Sequence, residues 1–129
     1  MGKLLFSLLL AAVLACQHSN VKAQAKISPA DFETKLQQDS TIQLIDVRTP
    51  EEYAAGHIAG SVNMNIYDDD FAVQFGKLDK NRPVLVYCAK GGRSADAADQ
   101  MAKAGYTQVF DLNGGFIAWK DAGKPVTKN

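Results

Sequence analysis

The stretch Cys88-Ala89-Lys90-Gly91-Gly92-Arg93-Ser94 gathers a thiol, two cations and two glycines. A thiolate is the nucleophilic form of cysteine, and a helix N-terminus or a neighbouring cation favours it. The stretch follows an apolar run, Val84-Leu85-Val86-Tyr87, and leads into a predicted helix over 94–104. Cys88 therefore falls on a strand–loop–helix corner, where the unpaired N–H groups of the helix's first turn face the loop. Lys90 and Arg93 add positive charge, which Asp96 opposes in part. Gly91 and Gly92 permit backbone conformations that turn N–H groups inward, a cradle for a sulfur anion or a bound oxyanion. Arg93 can grip an oxyanion through two parallel N–H bonds. The same residues also read as a glycine-rich turn with solvated cations beside an inert buried thiol, and exposure of the sulfur separates the two readings.

The elements around this loop alternate. Ser28-Pro29-Ala30-Asp31 has the residues of a helix start, with a serine cap, a first-turn proline and an acid that complements the dipole. That helix runs to about Gln38, with Phe32 and Leu36 on one face. Residues 41–47 read as a strand with Ile42, Leu44, Ile45 and Val47 as its apolar core. Thr49-Pro50-Glu51-Glu52 is a capping box for a short helix ending near Gly56, and 57–64 offers a brief extended segment. Asp68-Asp69-Asp70 favours a helix over 68–78 and has no calcium-loop spacing after it. Residues 83–87 read as a strand covered on both faces. In the helix over 94–104, Ala95, Ala98, Met101 and Ala102 form the stripe against the sheet, and Gly105 stops it. A strand over 108–112 and a helix over 114–121 carrying Phe116 and Trp119 complete the series. The expected fold is α/β, a mostly parallel sheet of about five strands with helices on both faces. Ligands of such sheets bind beyond the carboxyl ends of the strands, where Asp46, Cys88 and Asn113 fall.

With 129 residues, one folded domain is expected. Lysine plus arginine equal aspartate plus glutamate at 14 each, so overall charge gives no reason to expect a nucleic-acid partner. Lys3 followed by the apolar run Leu4 to Leu14 is too short for the ~20 residues of a membrane span and fits the h-region of an export signal. Val13-Leu14-Ala15-Cys16 resembles a bacterial lipobox, in which Cys16 becomes the lipidated first residue. Cleavage after Ala23 or Ala25 is the other reading. Residues 1–25 are thus a signal or lipoprotein leader with a tether that extends from Gln17 to Lys26, and 26–129 are the domain. The expected location is exported, periplasmic or lipid-anchored to a bacterial cell envelope. On either reading Cys88 is the one cysteine left to the folded domain, and an unpaired cysteine in that compartment stands out.

Three separated segments resemble the single-domain rhodaneses. They are Leu44 to Tyr53 continuing through Gly56 to Asn63, the loop Cys88 to Ser94, and Leu112 to Trp119 followed by Ala122 to Val126. The resemblance implies a sulfurtransferase. Cys88 would take the outer sulfur of a small anionic donor such as thiosulfate as a persulfide and pass it to cyanide, a thiol or a protein acceptor. Lys90, Gly91, Gly92 and Arg93 would bind the donor. Asp46, Arg48 and Ser94 would organise the loop from behind, although Arg48 also reads as a surface ion pair with Glu51 or Glu52. His57 would be structural and Trp119 part of the core. No cofactor or metal is implied, and His18, His57 and the cysteines form no metal-spaced cluster. Two other readings stay open. A dual-specificity-type phosphatase loop places five residues between cysteine and arginine, where this chain has Ala89 to Gly92. A non-catalytic binding or sulfur-relay module would keep the fold and use its rim for a partner.

Overall fold

Strand and helix alternate along residues 23–129, the part of the chain that the computed structural model describes; the apolar leader, Cys16 and His18 lie outside them. The order is β1 (Gln24–Ile27), α1 (Pro29–Gln38), β2 (Gln43–Asp46), α2 (Pro50–Ala55), β3 (Val62–Asn63), α3 (Phe71–Phe75), β4 (Val84–Tyr87), α4 (Gly92–Lys103), β5 (Val109–Leu112) and α5 (Gly115–Asp121). The five strands form one parallel sheet in the order β1-β5-β4-β2-β3. Central β4 is buried along its whole length, which accounts for its unbroken apolar run.

Alternation along the strands feeds two cores. Leu44, Leu85, Tyr87 and Leu112 face Phe32 of α1 and Phe116 and Trp119 of α5. Ile45, Val84, Val86 and Val109 face Phe71 and Phe75 of α3 and Ala97, Ala98 and Met101 of α4. The α/β class with helices on both faces is therefore as the sequence indicates. The small side chains of α4 do allow close packing, but Ala97 takes the buried place expected of Ala95.

Local signals hold where side chain and backbone meet within a few residues. Ser28 accepts the N–H of Asp31 at 3.1 Å and caps α1. Thr49 and Glu52 form the expected capping box on α2. At α3, Asp70 occupies the cap position without a capping bond, and Gln74 instead donates to Asp68 and Asp70. The expected 68–78 helix accordingly shortens to Phe71–Phe75.

One strand departs from the reading. Gln24 to Lys26, assigned by sequence to the tether, join Ile27 in an edge strand paired with β5. Its segment Gln-Ala-Lys-Ile has a single strong strand former and stays partly exposed, so periodicity could not mark it. Its backbone is recruited from across the sheet. Val109 N–H donates to Ala23 at 2.7 Å and Asn113 N–H to Ile27 at 2.8 Å.

Candidate active site

Cys88 follows the last residue of β4, so the sheet fixes its Cα at the carboxyl rim. Its side chain is sunken, at 1% exposure. Exposure alone would favour the inert reading, but the immediate contacts of the sulfur are polar. The N–H of Gly91 donates to Cys88 Sγ at 3.0 Å. Ser94 Oγ lies 3.3 Å from the sulfur and donates to the Gly91 carbonyl at 3.2 Å. In this arrangement the thiol donates to Ser94; a thiolate would instead accept the Ser94 hydroxyl proton.

Gly91 holds φ +118°, a conformation open to glycine and strained for other residues. Gly92 does not share that need. It is the first residue of α4, with ordinary helical backbone, and a Cβ there would meet nothing. The helix thus begins two residues earlier than its sequence pattern suggests, with Gly91, whose N–H meets the sulfur, as its N-cap.

The loop is held from α5. Phe116 N–H donates to the Cys88 carbonyl at 2.8 Å and Ile117 N–H to the Ala89 carbonyl at 3.1 Å. Gly115 makes this approach possible: at φ +65°, a Cβ would stand 2.5 Å from Ala89 O and 2.7 Å from Cys88 O. Sequence reasoning gave Gly115 no role at the site. The Gly114-Gly115 pair was the available signal.

The two cations differ. Lys90 is exposed on the loop. Arg93, expected to face the donor, is held in a bidentate pair by Glu52, Nη1 to Oε1 at 2.7 Å and Nη2 to Oε2 at 3.0 Å. Glu52 Oε1 also accepts the Thr49 N–H at 3.3 Å, so the residue that closes the α2 cap aims the arginine. The hydrogen bonds from Arg93 lower the Glu52 carboxyl to about 2 against the opposing effect of burial. The exposed ring of Tyr67 lies 5.8 Å from the Arg93 guanidinium.

Asp46 and Arg48 sit behind the loop. Arg48 donates from Nε and Nη2 to the Asp46 carboxylate, the closest contact at 2.7 Å, and from Nη2 to the Gly56 carbonyl at 2.7 Å. Both residues are buried, which replaces the alternative of a surface ion pair with Glu51 or Glu52. The guanidinium packs 4.2 Å from the centre of the Phe116 ring, and through Phe116 it reaches the Cys88 carbonyl. His57 bridges Tyr53 O at 2.8 Å and Asn129 O at 2.6 Å and stacks on Tyr53, a structural place. Trp119 is in the core.

A further pair was invisible in the sequence. Asp111 of β5 is 2% exposed, and its register partner on β1, Lys26, brings Nζ to 3.3 Å from Oδ2. Burial pushes the Asp111 carboxyl up. Ser94 and Lys26 pull it back, although neither meets its oxygens with hydrogen-bond geometry.

These features define a class: a parallel α/β domain that carries one cysteine loop on its carboxyl rim, with four residues between the cysteine and the loop arginine. The chain belongs to the rhodanese-like family, whose domain model, described as Rhodanese-like domain, matches residues 28–122. It is 33% identical over 88 residues to a protein named thiosulfate sulfurtransferase GlpE from Shewanella oneidensis, covering 68% of this chain and 85% of that one. It is 37% identical over 95 residues to thiosulfate sulfurtransferase 16, chloroplastic, of Arabidopsis thaliana, covering 64% and 77%. The crystal structure of a rhodanese-related protein from Thermoplasma volcanium superposes with a TM-score of 0.71 at 30% identity, over 81% of this chain and 98% of that one.

Proposed function

We propose that this protein is a sulfurtransferase that carries sulfane sulfur as a persulfide on Cys88. The observation that carries the reading is the Gly91 N–H aimed at Cys88 Sγ at 3.0 Å inside a short loop that Arg93 closes. The thiolate of Cys88 attacks the terminal sulfur of thiosulfate. A Cys88 S–S bond forms, the donor's S–S bond breaks, and sulfite leaves with the bonding electron pair. Cyanide or a thiolate then attacks the outer persulfide sulfur, and the Cys88 thiolate departs with that bond's electrons. No external oxidant, reductant or general base enters, as in other covalent two-step transfers.

Burial of the sulfur fits this chemistry. A sulfane sulfur is the terminal atom of its donor and can reach into the loop ahead of the bulkier sulfonyl group. Gly91 N–H and the Ser94 hydroxyl then supply donors to sulfur carrying negative charge, already in place before the reaction. Lys90 and Arg93 bind the anionic end. Four residues between Cys88 and Arg93, one fewer than in the phosphatase loops, favour sulfur over a phosphoryl group as the cargo.

Transfer from thiosulfate to cyanide, followed as thiocyanate, tests the reading. Cys88→Ser is expected to abolish it. Arg93→Ala is expected to raise the thiosulfate KM about tenfold, the loss of one charge-assisted contact. An unchanged KM would remove Arg93 from the donor site, and hydrolysis of p-nitrophenyl phosphate without sulfur transfer would favour the phosphatase. The apolar run from Leu4 and the Ala15-Cys16 pair support export, with Cys16 as the lipid-bearing residue. Metabolic labelling with a palmitate analogue, lost in Cys16→Ala, tests that part.

A further inference from the structure

Asp111 is hard to account for as part of the core. A buried carboxylate is costly without hydrogen bonds or a partner charge. Both its oxygens lack a hydrogen-bond partner, and it lies on β5 beneath the sulfur-bearing corner, opposite Val86 of β4 in register. The cation beside it is Lys26, 3.3 Å from Oδ2. Lys26 is not sealed in with the acid, because its side chain remains 55% exposed. Its ammonium reaches the loop: a Cβ built on Gly91 would lie 3.8 Å from Lys26 Nζ and 4.0 Å from Gly114 N. Gly91 is the residue whose N–H meets the Cys88 sulfur. Lys26 meets Asp111 as an ion pair without hydrogen-bond geometry, so the N–H donors of its ammonium keep capacity for a ligand.

We propose that Lys26 is a donor-binding residue of the Cys88 site, held at the loop by the buried carboxylate of Asp111, and that it selects doubly charged sulfur donors over singly charged ones. The inference rests on the sulfurtransferase reading and adds a residue from the edge strand to it. Arg93 is oriented by the part-exposed Glu52, and Lys90 is exposed on the loop. Lys26 differs from both in having a buried anchor on the neighbouring strand and solvent on its other side. Asp111 acts through Lys26 as a positioning residue and does not touch the donor. Attraction to a fixed cation scales with the charge of the ligand, so the benefit is larger for a dianion.

The test compares two donors of the same sulfane chemistry, thiosulfate with two charges and methanethiosulfonate with one, on the full-length protein. Lys26→Met keeps the aliphatic stem and removes the charge. It is expected to raise the thiosulfate KM about fivefold and the methanethiosulfonate KM about twofold, with kcat unchanged for both. Lys26→Arg restores selectivity. Because Lys26→Met strands Asp111 and can weaken the fold, the double variant Lys26→Met with Asp111→Asn removes both charges, and its thiosulfate KM is expected to lie between those of the wild type and Lys26→Met. Raised salt should erode the thiosulfate preference of the wild type and leave that of Lys26→Met nearly unchanged. Equal KM for wild type and the double variant, or the same fold-rise for both donors, would mean that the pair serves only the fold and would overturn the inference. A wild type that takes sulfur from neither donor overturns the sulfurtransferase reading and this inference with it.

Discussion

Glu52 serves two partners at once. Its carboxylate closes the capping box of α2 and binds both terminal nitrogens of Arg93. The fold favours the charged form, holding the group at about 2 against an ordinary 4.5. The stability it contributes is therefore complete above about 4.5 and drains away as pH falls toward about 2. Acid unfolding monitored by circular dichroism should show a smaller stability loss across that window in Glu52→Gln than in the wild type, and identical slopes would show that the pair adds nothing. Arg48 presents the buried counterpart. Arg48→Ala leaves Asp46 charged and unpaired in the interior, and a destabilisation of about 3–5 kcal/mol is expected by chemical denaturation. The contrast in legibility between these residues is physical. Cys88, Gly91 and Ser94 interact within six residues of one another, so their spacing in the chain already displays the loop. Glu52 meets Arg93 across 41 residues, and Lys26 meets Asp111 through strand pairing. No local pattern records such meetings, and the sequence accordingly left Arg93 free and Lys26 in a tether.

Elements carry the loop by backbone contact. The corner between β4 and α4 is braced by the first N–H groups of α5, and Gly115 is the point of closest approach. Gly115→Ala would drive a Cβ into the Cys88–Ala89 peptide and force the left-handed backbone on a residue with a side chain. Overpacking of this kind costs about 1–3 kcal/mol, and sulfur transfer should fall at least tenfold because the Cys88 carbonyl must move. Gly92→Ala, by contrast, has open space and helical backbone and should leave the melting temperature unchanged or slightly higher. Matching losses in the two variants would show that glycine is needed along the whole loop. The helices with strong caps and apolar stripes were readable, since their causes lie within one or two turns. β1 was not. Its residues are half exposed, and it is a strand because β5 offers an open edge, a fact of tertiary structure.

At the scale of the molecule, a parallel sheet puts the carboxyl ends of β2, β4 and β5 on one rim, and function collects there. Asp46 with Arg48, Cys88 with its loop, and Asp111 all lie on that rim, each held by a different strand. Strand–helix alternation in the sequence was enough to place Cys88 there. It could not show that the sulfur is sunken, because burial depends on how closely α4 and α5 approach the corner. The two cores keep the frame rigid while the rim is built from loops and the first turns of helices.

The central claim is that the buried sulfur of Cys88 accepts a second sulfur atom. Intact-protein mass spectrometry after brief mixing with thiosulfate tests it most directly. The expected result is a gain of one sulfur atom on the wild type, located to the Cys88 peptide, removed by cyanide and absent from Cys88→Ser. An unmodified wild-type mass under conditions in which the protein remains folded would contradict it.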